Sequence, residues 1–110
     1  MQRSEVVKRT PASDGQIARW IENGVKIGGK TKGSGYNREY DELDVKVCTV
    51  LASLSPLVGS GRRVPSSKDI LKKVATQIRK EPSIADRELI FVSTTGVITE
   101  EPKEGWVVSP

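Results

Sequence analysis

Apolar residues recur first at helical spacing and then at strand spacing, so the change of period divides the chain into a helical body and a small sheet. Ser4 to Arg9 predicts a short helix with Ser4 as its N-cap and Val6 and Val7 turned inward. Thr10-Pro11-Ala12 stops it, because the residue before a proline is pushed out of the helical region. Ser13 opens a second helix, where Gln16 three residues on completes a reciprocal capping box and Asp14 sits at the positive end of the dipole. Ile17, Trp20 and Ile21 form its apolar face, which makes Trp20 a core residue rather than a surface contact. Gly24 ends it. The tight spacing of these two helices is that of a helix-turn-helix.

Val25 to Tyr40 predicts a glycine-rich hairpin carrying Lys26, Lys30, Lys32 and Arg38. Asp41 caps a third helix with Leu43, Val47, Val50, Leu51 and Leu54 on one face, and Ser55-Pro56 ends it. Leu57 to Pro65 is a connection. Ser66 with Asp69 starts a fourth helix through about Lys80, with Ile70, Leu71, Val74 and Ile78 as its buried stripe, and Glu81-Pro82 closes it. Beyond that Leu89 to Ser93, Val97 to Thr99 and Trp106 to Ser109 read as strands, with Thr95-Gly96 and Pro102 to Gly105 as turns. The expected fold is α+β, mainly α with a small β part. A winged helix-turn-helix occupies residues 1–56, a linker 57–65, and a helix plus β-meander residues 66–110, where dimerisation is expected.

A length of 110 residues fits one domain, or one small domain with an oligomerisation appendage. With no histidine and a single cysteine, Cys48, the chain has no disulfide framework and no protein-only transition-metal site. Cys48 lies beside the apolar stripe of the third helix and reads as inert. No segment has signal-peptide or bilayer-spanning character, so a soluble cytoplasmic protein without membrane association is expected. Net charge alternates along the chain: +4 over residues 1–40, −2 over 41–60, +6 over 61–80 and −4 over 81–110. Basic blocks of this kind point to a polyanionic partner or to a solvated helix face.

One motif competes with this picture. Gly24-Val25-Lys26-Ile27-Gly28-Gly29-Lys30-Thr31 satisfies G-x-x-x-x-G-K-[ST], the phosphate-loop pattern. A phosphate loop needs a buried strand before it and a helix after it, so that backbone N–H groups and a helix N-terminus face the polyphosphate. Here a helix precedes the motif, and Lys32-Gly33-Ser34-Gly35 cannot start one after it. No nucleotide cofactor is expected. A helix that runs into a basic, glycine-rich hairpin is instead the layout of a winged helix-turn-helix.

The first 55 residues resemble the DNA-binding domain of the MerR family and the related excisionase-type winged helices. The resemblance rests on Ser4-Glu5-Val6-Val7, on Ser13, and on Ile17-Ala18-Arg19-Trp20-Ile21-Glu22-Asn23-Gly24-Val25. Arg38-Glu39-Tyr40-Asp41-Glu42-Leu43-Asp44-Val45 resembles the family's join of wing and third helix. The long coiled-coil helix and cysteine pair of metal-sensing members are missing, which argues against a metal sensor. A bacterial or phage origin is what the resemblance implies.

The resemblance implies a protein that binds double-stranded DNA, with helix 13–23 in the major groove and the basic wing 25–40 on the backbone or minor groove. A homodimer is expected because a lone small domain buries little and one half-site gives weak specificity. Ser13, Asp14, Gln16 and Arg19 would face base edges, with Gln16 suited to adenine and Arg19 to guanine or a phosphate. Lys26, Lys30, Lys32 and Arg38 suit phosphates. Tyr36 and Tyr40 either bond phosphates through their hydroxyls or pack the wing on the third helix. Arg62 and Arg63 either touch flanking DNA or sit in a solvated linker. Asp41, Glu42 and Asp44 read as charge at a helix N-terminus rather than as a general acid or metal site. A transcriptional regulator is the leading expectation, an excisionase-like architectural factor the alternative, and a protein-interaction module without DNA binding a third. No nucleophile, base and orienting group come together, so an enzyme is not expected.

Overall fold

The computed structural model describes residues 1–29, 39–58, 67–101 and 104–109. Within them the chain is a mixed α+β fold in which four helices precede a three-stranded antiparallel sheet. Helix α1 spans Arg3–Arg9 and α2 Asp14–Glu22. The N-cap of α1 is Gln2 rather than Ser4, because the Gln2 carbonyl already accepts from the N–H groups of Glu5 and Val6. At its other end the Thr10 hydroxyl donates to the Val6 carbonyl at 2.9 Å.

Helix α3 runs Glu42–Val58 and is the centre of the fold. Its start carries a reciprocal cap: the Asp44 N–H donates to Asp41 Oδ1 at 2.8 Å, and the Asp41 N–H to Asp44 Oδ2 at 2.9 Å. The helix continues through Pro56, which sits in its last turn, and the added residues bury Val58. One apolar face was expected, yet Val45 and Cys48 are buried as well as Val47, Val50, Leu51 and Leu54. The reason is that α1, α4, the segment 82–86 and the last strand all pack around α3, and a helix enclosed in this way is apolar on more than one side.

Helix α4, Ser67–Lys80, lays Ile70, Leu71, Val74, Ala75 and Ile78 on α3. Ser66 lies outside the described residues. Pro82–Asp86 is a 3-10 turn that buries Ile84 and Ala85. Strands β1 (Ile90–Ser93), β2 (Ile98–Thr99) and β3 (Gly105–Val108) follow, in the spatial order β2-β1-β3.

That order corrects the expected meander. A meander would set β2 in the middle, but β2 has only two residues, whereas β1 offers Ile90 and Val92, both essentially inaccessible, and takes the centre. The segment Leu89 to Ser93 therefore offers no free edge. Gly105 secures the return of β3, since a Cβ there would overlap the Val92 carbonyl oxygen. One buried cluster runs from Val6 through Trp20, Leu51 and Ile78 to Val108, and so draws on both halves of the sequence. Among the described residues no helix is long and apolar enough to cross a membrane.

Candidate nucleic-acid interface

The predicted box at the start of α2 is present. Ser13 Oγ accepts from the Gln16 N–H at 3.1 Å, and Gln16 Oε1 accepts from the Ser13 N–H at 3.0 Å. Both side chains are thus engaged in starting the helix. A bidentate grip on adenine needs the same Gln16 oxygen, so base reading by Gln16 competes with the cap. Ile17 and Trp20 are buried, and Asp14, Arg19, Glu22 and Asn23 point outward. Arg19 is the one cation on this outer face and makes no ion pair among the described residues. Asp14 has Arg3 Nη1 at 3.8 Å.

The end of α2 is a Schellman motif. The Gly24 N–H donates to the Ile21 carbonyl at 3.0 Å and the Val25 N–H to the Trp20 carbonyl at 2.9 Å, with Gly24 at φ 87°. Val25 and Ile27 then turn inward and leave Lys26 exposed between them. The Gly28 N–H donates to Asp44 Oδ1 at 3.0 Å, and the Gly29 N–H to the Glu39 carbonyl at 2.8 Å in an isolated antiparallel bridge. On the returning side Tyr40 is buried, its N–H bonds the Met1 carbonyl at 2.9 Å, and its hydroxyl accepts from Arg3 Nε at 3.1 Å. Tyr40 is therefore buried against the chain's start and α1, through Met1 and Arg3.

These bonds bear directly on the phosphate-loop pattern. The N–H groups of Gly24, Val25, Gly28 and Gly29 already have protein acceptors. The motif opens at a helix C-terminus, whose free groups are carbonyls rather than amides. Its last two residues, Lys30 and Thr31, lie outside the described residues.

Between Gly29 and Glu39 the sequence runs through residues 30–38. Lys30, Lys32, Tyr36 and Arg38 lie outside the described residues, so only their sequence counts here: three cations and no acid. The two ends of that segment, Gly29 and Glu39, are fixed to each other. Beside the stem stands a cation that the sequence reading missed. A Cβ built at Gly24 would lie 3.4 Å from Lys72 Nζ, which brings the exposed Lys72 of α4 to the C-terminus of α2. The basic block 61–80 was visible in the sequence, but which of its lysines meets α2 depends on how α4 packs. Favourable charge at the negative end of the α2 dipole is one role for Lys72.

The three carboxylates near residue 42 are occupied structurally. Glu42 forms a two-pronged bond with Arg9 at 2.7 and 2.6 Å, which holds its carboxyl below the ordinary range. Partial burial would raise the Asp41 carboxyl, but the Asp44 N–H and side chain and the Arg79 charge outweigh it and hold the group low. Asp44 Oδ1 accepts from Arg79 Nη1 at 2.6 Å. Among the described residues no group of acidic, cysteine or histidine side chains is arranged to hold a metal ion. Burial, helped by the Asp44 charge, pushes the Cys48 thiol up to about 12, so the thiolate that reactive cysteines need is unavailable.

The chain matches no protein family, no curated protein sequence and no solved structure.

Proposed function

We propose that the chain is a sequence-specific binder of double-stranded DNA, a winged helix-turn-helix protein that acts as a transcriptional regulator in the cytoplasm. The observation that carries this reading is the anchored stem. Asp44, the Gly29–Glu39 bridge and the buried Ile27 and Tyr40 hold the ends of an acid-free segment with three cations that follows α2 after the short stretch 23–29. In this reading α2 enters the major groove with Arg19 on base edges. Lys26, Lys72 and the cations of residues 30–38 neutralise phosphates, which supplies affinity with little sequence information. Ser13 and Gln16 fix the start of the helix rather than reading bases. A homodimer would present two copies of α2 to two half-sites.

Duplexes selected from a random library, followed by fluorescence anisotropy across salt, test the proposal. Five phosphate contacts give a slope of log K against log salt of about −4 to −5. Arg19→Ala should relax preference at one position by about 1–3 kcal/mol. Affinity that does not change with salt, or no enrichment of any sequence, would count against it.

A further inference from the structure

The sheet has one guarded edge and one open edge, and we propose that the open edge, β3, docks a second copy of this chain by antiparallel pairing about Val107. The Thr94 N–H donates to the Glu104 carbonyl and the Ser93 N–H to the Val97 carbonyl. With the observed register, even-numbered residues of β1 bond β3 and odd-numbered ones bond β2. Trp106 and Val108 therefore turn their backbone groups toward β1, while Gly105 and Val107 turn theirs outward. No described residue pairs with the outward groups of Val107.

The opposite edge is closed. Gln77 Nε2 donates to the Gly96 carbonyl at 2.8 Å, and Gln77 Oε1 accepts from the Ile98 N–H at 2.9 Å, so one side-chain amide takes the place of a further strand along β2. Among the described residues nothing comparable protects β3. From Gly105 to Ser109 the sequence has no charge and no proline, the usual means by which edge strands refuse partners.

The occupant that fits is the chain itself. Two-fold pairing centred on Val107 sets Trp106 opposite Val108 of the partner subunit and Gly105 opposite Ser109 of the partner subunit, with no like charges facing each other. Glu104 falls outside the paired stretch. Such an interface is isologous, so each copy satisfies the other with the same groups. It also extends an apolar face. Strand alternation puts Leu89, Val97 and Val107, exposed by 49, 47 and 51%, on the outer side of the sheet with Phe91. Phe91 lies across from Val107, so the pairing joins two such pairs into one strip.

The test is sedimentation velocity on the full chain without DNA, from micromolar to sub-millimolar concentration, so its outcome is separate from that of DNA binding. The wild type should reach twice the chain mass of 12.0 kDa. Val107→Lys places two ammonium groups across the axis, and Val107→Pro removes an outward N–H that β1 does not use. Both variants should sediment at the single-chain mass with unchanged circular dichroism, and with a urea midpoint equal to that of the wild type at concentrations where the wild type is monomeric. A wild type that stays at single-chain mass throughout overturns the proposal, and so does a dimer that survives Val107→Lys. Should Val107→Pro fail to fold, Val107→Lys decides.

Discussion

The carboxylate of Asp44 and the guanidinium of Arg79 meet at 2.6 Å, and so tie the first turn of α3 to the last turn of α4. Asp44 is 1% exposed and is the buried charge among the described residues. Its two oxygens also accept from the N–H groups of Gly28 and Asp41. One side chain thereby fixes three pieces of chain: the stem at Gly28, the cap of α3, and α4. A buried ion pair contributes little against a well-packed apolar substitute, but removing one partner is costly because the other stays buried and unpaired. Asp44 is therefore best understood as the group that joins Gly28, the α3 cap and α4.

Breaking this junction should cost more than its size suggests. Arg79→Ala leaves the Asp44 carboxylate with two N–H donors and no countercharge, and the expected loss is about 2–4 kcal/mol. Arg79 is partly exposed, so water relieves some of the penalty and the lower half of that range is expected. Asp44→Asn keeps the volume but turns an NH2 toward either the Gly28 or the Asp41 N–H, at about 2–3 kcal/mol. Urea denaturation reads both. Midpoints equal to the wild type in the two variants would mean that Asp44 holds nothing.

Acid should weaken the same region in a defined sense. The folded-state pKa values of Asp41 and Glu42 lie below their ordinary 3.8 and 4.5. The unfolded chain therefore binds protons first, and the stabilisation is complete above the ordinary values and lost as pH falls through the lowered ones. Urea midpoints should thus hold steady from neutral pH to about pH 5 and then decline. Asp41→Asn should flatten part of that decline. If its acid limb has the wild-type slope, Asp41 is not among the groups responsible.

Local signals in the sequence carried most of the helical body. Ser13, Gln16 and Gly24 specify both ends of α2 within a dozen residues, and the structure has the capping box and the glycine turn where those residues put them. The stripe Ile70, Leu71, Val74 and Ile78 likewise needs only helical periodicity. What could not be read was non-local. Arg79 reaches Asp44 across 35 positions, and Gln77 reaches Ile98 across 21. The central place of β1 depends on the competition between a two-residue strand and a better-buried partner, which no turn residue reveals. At the site, the exposure of Arg19 and Lys26 follows from periodicity, whereas the burial of Tyr40 follows from Arg3 and Met1 closing over it. The engagement of Gln16 was implicit in its own capping signal, because its side-chain oxygen accepts from the Ser13 N–H and a base contact would compete with that bond.

Lys72 separates a structural from a DNA-contacting role at the end of α2. As a cation near the α2 carbonyls it should stabilise the fold by a few tenths of a kcal/mol, about 0.3–1. As a phosphate contact it should in addition reduce the salt slope of DNA binding by about 0.9 when removed. Lys72→Ala tests both, with urea denaturation for the first and anisotropy across salt for the second. The expected result is a small loss of stability together with a shallower slope and weaker binding at low salt. Lys80→Ala, an exposed lysine at the far end of α4, is the control and should leave the slope alone. A Lys72→Ala slope equal to the wild type would assign Lys72 to the helix dipole only and would confine the interface to α2, Lys26 and residues 30–38.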